Sequence, residues 1–113
     1  MSKIKLHDLI KILHSDVVKY KSCIEMNFCI DNDIEYNDCW LGKMPDRENP
    51  SKEVYWYGLV PDGSQAYDYD NLEDILNAKV FHGDKSLCDV IESINWYSLD
   101  GCSIGEGLPH YLD

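Results

Sequence analysis

Glu53-Val54-Tyr55-Trp56-Tyr57-Gly58-Leu59-Val60, then Pro61-Asp62-Gly63-Ser64, then Gln65-Ala66-Tyr67-Asp68-Tyr69, is the most regular stretch of the chain. Val54, Trp56, Gly58 and Val60 alternate with Tyr55, Tyr57 and Leu59, so both rows are apolar or amphipathic and predict a strand covered on both sides. Val54, Trp56, Leu59 and Val60 are expected in the core, with tyrosine rings over the other face. Pro61 pre-sets the backbone of a turn and Gly63 accepts positive φ. Residues 65–69 then return antiparallel, with Tyr67 and Tyr69 facing one way and Asp68 the other.

Outward from this hairpin the helical signals are clear. Leu6, Leu9, Ile10, Leu13 and Val17 form one helical stripe near the N-terminus. Asp70 is placed to cap a short helix over 71–77, with Glu73 and Asp74 in its first turn, where the dipole favours acids. Ser86 and Asp89 have the spacing of a capping box ahead of a stripe of Leu87, Val90, Ile91 and Ile94. Residues 95–99 read as a last strand closed by Asp100-Gly101, and 103–107 as a final helical turn. Between the first helix and the hairpin the texture is weaker. Val17–Tyr20, Cys23-Ile24 and Phe28–Ile30 look like short β runs, with 25–27 as a connection, and 42–52 reads as a long charged loop with two prolines. Strands and helices are too intermingled for a sandwich and lack βαβ alternation. The expectation is a single globular α+β domain over 1–113, an antiparallel sheet of three to five strands with helices mainly on one face.

Composition bounds the function. The 113 residues are 44% hydrophobic with 13 aromatics, enough for one packed core. No apolar run approaches a membrane span. The formal charge is −11, which argues against phosphate backbones and anionic lipid as partners. The charge is also uneven: residues 1–21 carry five lysines and two acids, whereas residues 22–113 carry five bases and 19 acids. The first helix is thus a basic element expected to dock on an acidic body. The start of the chain is basic without an apolar core of a signal peptide, so a cytoplasmic protein is expected.

No familiar catalytic motif is present: no phosphate loop, no Gly-x-Ser-x-Gly elbow and no His-Glu-x-x-His. Asp31, Asp33 and Glu35 fit the first ligand positions of a calcium loop, but the required glycine is Tyr36 and the closing glutamate is Gly42. Cys23, Cys29 and Cys39 are separated by five and nine residues, far from paired zinc spacing, and with Cys88 and Cys102 they make an odd set. Five reduced thiols, no metal and no cofactor are expected.

The densest acidic cluster is Asp62, Asp68, Asp70, Glu73 and Asp74, with no base between Glu53 and Lys79. Tyrosines among carboxylates suit contact with a basic protein, because the rings supply area and the acids steer encounter. The candidate partner-binding residues are therefore Tyr67, Asp68, Tyr69, Asp70, Glu73 and Asp74. In size and acidity the chain is similar to small inhibitors such as immunity proteins against nuclease toxins and acidic mimics of DNA. That likeness is compositional and transfers no residue. The function expected is a non-catalytic module that binds a basic protein. The alternative is a small enzyme or metal-binding protein whose carboxylates converge with Cys or His.

Overall fold

The computed structural model describes residues 2–112. In chain order the elements are α1 (Leu6–Leu13), β1 (Ile24–Ile30), β2 (Cys39–Pro45), β3 (Glu53–Gly58), β4 (Ala66–Tyr69), α2 (Leu72–Asn77), α3 (Leu87–Val90), a 3-10 turn (Ile91–Ser93), β5 (Ile94–Leu99), α4 (Ile104–Gly107) and α5 (Pro109–Leu112). The strands form one five-stranded sheet in the order β4-β3-β2-β1-β5, every pair antiparallel. This is the α+β fold expected from the sequence.

One face of the sheet holds the core. Ile24, Met26 and Phe28 of β1 stand opposite Lys43, Leu41 and Cys39 of β2, and Leu41 and Lys43 stand opposite Tyr57 and Tyr55 of β3. All of these are buried, as are Ile94, Trp96 and Leu99 of β5. The helices cover this same face. Leu9, Ile12 and Leu13 of α1, Ile75 and Leu76 of α2, and Leu87 and Val90 of α3 join the sheet residues in a single cluster. Burial of these apolar side chains, at about 1.5–3 kcal/mol each, is the main favourable contribution to the fold.

Two polar contacts fix the helices to the sheet. The Tyr57 hydroxyl donates to the Ile75 carbonyl of α2 at 2.9 Å. Lys43, only 2% exposed, points from the core face into the end of α1. Its ammonium donates to the carbonyls of Leu13 at 2.9 Å and Ser15 at 2.8 Å, and pairs with Glu53 at 2.8 Å. A lysine has three N–H donors, and all three are used. The charge also lies 5.0 Å from the Tyr55 ring centroid, and it meets the negative end of the α1 dipole. A buried cation with every donor satisfied is a lock between helix and sheet.

Several expectations are corrected. Residues 25–27 are not a connection: β1 runs unbroken through them, and Met26 is fully buried. Val17 to Lys21 is turn rather than strand. The expected loop 42–52 begins later, because Gly42, Lys43 and Met44 belong to β2. The stripe after Ser86 is split: the capping box is present, but the helix ends at Val90, and Ile94 opens β5. The cap of α2 is Asn71, whose side chain accepts from the Asp74 amide, not Asp70. The largest correction concerns β3. Tyr55, Tyr57 and Leu59 are the buried row, while Val54 and Trp56 are half-buried on the opposite face. The tyrosines can be buried because ring area goes inward while a hydroxyl finds a carbonyl, as Tyr57 does.

Candidate functional site

Among the described residues, no helix lies on the second face of the sheet. Register places Trp40, Gly42 and Met44 of β2 beside Gly58, Trp56 and Val54 of β3, and places Gly58 and Trp56 beside Ala66 and Asp68 of β4. This row is half-buried or exposed apart from Gly42. Gly42 is covered by an indole: a Cβ built there would lie 2.7 Å from Cζ2 of Trp56 and 2.1 Å from the Ile24 carbonyl oxygen. Glycine at 42 is what lets the Trp56 ring lie down across the sheet.

An open groove of about 840 Å³ runs from this indole to the edge of the sheet. Its apolar surface comes from Met44, Pro45, Val54 and Trp56, with the small pair Gly58 and Ala66 alongside. Asp46 and Glu48 border it from the β2–β3 loop, and Asp68, Asp70 and Asp74 from β4, the link after it and α2. Arg47, the only arginine in the chain, also lines it and is exposed. Among the described residues it makes no ion pair.

The six candidate residues divide between two surfaces. Asp68 stands directly opposite Trp56 across β3 and β4 and is exposed in the groove. Asp70 and Asp74 line the same groove, and the Asp74 carboxylate also accepts from Asn71 at 3.1 Å. Tyr69 borders it, but its ring packs at right angles to Tyr57, 6.0 Å between centroids, on the helix side. Burial raises the Tyr69 hydroxyl pKa above its ordinary value, with Tyr67 nearby adding to it. Tyr67 pairs with Tyr57 on that same helix side and is 37% exposed at the sheet edge. Glu73 is exposed in the first turn of α2 and does not line the groove. The structure thus gathers three of the acids and one tyrosine. It adds Trp56 and the 46–48 loop, which the sequence reading left out of the site. The signal that could have found Trp56 was alternation with Asp68 across the turn: in a tight hairpin, residues facing one side of β3 meet those facing the same side of β4.

The alternative reading requires carboxylates that meet Cys or His at one place. His82 meets Glu35 at 3.0 Å and Asp33 at 3.7 Å, and stacks on Tyr36 with centroids 4.4 Å apart. The Tyr36 hydroxyl donates to Gln65 at 2.9 Å, and Gln65 donates to Glu35 at 2.7 Å. This network ties the loop after β1 to the turn before α3. Among the described residues, no group of three or more His, Cys, Asp or Glu is placed to hold a metal ion. All five cysteines are free; Cys29 and Cys39 are buried, and Cys23 and Cys102 exposed. The Cys39 thiol donates to the Leu59 carbonyl at 3.2 Å, and burial pushes its pKa up to about 12. Cys23 is raised as well, by burial and then by Glu25 and Asp100. A raised thiol pKa means little thiolate near neutrality, which is the opposite of an activated nucleophile.

These raised values carry a stability consequence. Cys39 and Tyr57 bind their protons more tightly folded than unfolded, both chiefly because burial disfavours the anion. Their contribution is complete below the ordinary thiol and phenol values of 9.0 and 10.0, and is lost as pH rises above them toward the folded values. Urea midpoints measured from pH 7 upward are expected to hold level to about pH 9 and then fall. Cys39→Ala is expected to delay the onset of that fall.

No helix among the described residues is long and apolar enough to cross a membrane. No protein-family model, no curated protein and no solved structure matches the chain.

Proposed function

We propose that the protein is a non-catalytic binding module that meets a basic protein partner with the groove on its uncovered sheet face. The observation that carries this reading is the convergence of Trp56 with Asp68, Asp70 and Asp74 at one open groove, on the side of the sheet that none of the described helices covers. Aromatic area that stays half-exposed supplies the desolvated centre of a contact, and the surrounding carboxylates supply charge complementarity and a fast encounter. A chain of net charge −11 adds a long-range field of the same sign. A cytoplasmic setting belongs to the same reading, since Cys23 and Cys102 are exposed free thiols and such thiols persist under reducing conditions.

The test is affinity capture at low and high salt, with two triple variants as reporters. Asp68→Lys with Asp70→Lys and Asp74→Lys reverses the groove. Asp84→Lys with Glu92→Lys and Glu106→Lys changes net charge equally at exposed positions elsewhere. A basic protein captured by the wild type, released by salt, lost by the groove variant and kept by the remote variant is the expected result. A partner held equally by both variants, or lost equally by both, removes the groove from the interaction. Both variants should fold, because exposed substitutions rarely shift stability by more than about 0.5 kcal/mol each.

A further inference from the structure

We infer that the groove is built to take arginine in preference to lysine, with a partner guanidinium stacked on the Trp56 indole and forked onto the Asp68 carboxylate. This rests on the reading of the groove as the face that meets a basic protein, and it names the side chain that the face selects. Trp56 and Asp68 are direct cross-strand neighbours on the uncovered face, which puts their Cβ atoms about 5 Å apart. One part of the indole is seated on Gly42 and so held in place, while the half-exposed remainder lines the groove. Beside this pair stand Gly58 and Ala66, whose small side chains leave the space next to the ring open. A rigid aromatic plane next to a carboxylate matches a planar guanidinium, which stacks through its face and donates through its edge. An ammonium has neither the plane nor the fork, and gains from the same site only as a point charge.

The experiment is calorimetric titration of the full chain with hexa-arginine and with hexa-lysine peptides at equal salt. Stacking on the half-buried indole predicts hexa-arginine binding about three- to fivefold tighter than hexa-lysine. Trp56→Leu is expected to bring the two peptides to within about twofold of each other. Asp68→Asn, an exposed change that does not depend on the indole packing, is expected to weaken hexa-arginine more than hexa-lysine. Equal binding of the two peptides by the wild type overturns the arginine preference and leaves the basic-partner reading standing. A preference that survives in both variants also overturns it, because the selecting site then lies elsewhere. Binding of neither peptide overturns the inference and the reading beneath it together.

Discussion

Replacing Lys43 by methionine is expected to lower stability by about 3–4 kcal/mol, the loss typical of breaking a buried, fully bonded charge. Methionine matches the length of the stem but donates nothing. The carbonyls of Leu13 and Ser15 then lose their partner at the end of α1, and Glu53 loses the cation 2.8 Å away. Each buried acceptor left unpaired costs about 1–3 kcal/mol. Glu53 is 28% exposed, so water recovers part of its loss, and Glu53→Gln is expected to cost less than half as much as Lys43→Met. For a domain of this size the Lys43→Met change corresponds to a drop in Tm on the order of 15 °C. Thermal unfolding followed by circular dichroism measures both. A Lys43→Met protein within about 1 kcal/mol of wild type would show that the lock contributes nothing net.

Gly42→Ala is expected to cost about 3 kcal/mol, at the upper end for overpacking. It should also disturb the candidate site. The new methyl would lie 2.1 Å from the Ile24 carbonyl oxygen and 2.7 Å from the Trp56 ring. The first of these is backbone within the sheet, so the strand itself must shift. The second lifts the indole off its seat. Gly58→Ala is the matched control on the same face, since its nearest neighbour would be the Trp40 Cβ at an ordinary 4.0 Å. Denaturant unfolding and tryptophan fluorescence of the two variants should therefore diverge: large loss and an altered indole environment for Gly42→Ala, near-wild-type behaviour for Gly58→Ala. Equal behaviour of the two would mean that Trp56 is not held by Gly42.

These two residues also explain why β2 was hard to read. Its centre is Gly42-Lys43, a pair that ordinary strand preferences disfavour. Glycine is there because an indole from β3 lies on it, and lysine because three acceptors from the end of α1, the turn after it and β3 converge on its ammonium. Both reasons are tertiary, and neither leaves a local trace. The hairpin 53–69 was legible because β-branched and aromatic residues alternate around a Pro-Asp-Gly turn whose Gly63 does adopt φ +81°. What alternation could not supply was which of two apolar rows faces the helices. The row Tyr55, Tyr57 and Leu59 went inward because the Tyr57 hydroxyl finds the Ile75 carbonyl, the Tyr55 ring lies under the Lys43 ammonium, and both rings fill the space between sheet and helices. In the same way, the acids at 68, 70 and 74 could be picked as a cluster from their density alone. Their association with Trp56 and with the 46–48 loop depends on register and on the path of the chain across the sheet end. Tyr67 and Glu73 were included in the cluster by proximity in sequence, and the strand pleat and the helix turn carry them away from the groove.

The three tryptophans give the most direct test of the account, because each reports on a different place. Trp96 is buried against Phe28 in the core, Trp40 is on the uncovered face outside the groove, and Trp56 lines the groove. Their indole N–H signals can be followed together by nitrogen-15 NMR while hexa-arginine is added to the full chain. The expected result is a shift of the Trp56 indole and of the Asp68, Asp70 and Asp74 amides, with the Trp96 indole unmoved. Shifts centred on another surface, or none at a peptide concentration that saturates binding, would contradict the claim that this groove is the protein's binding site.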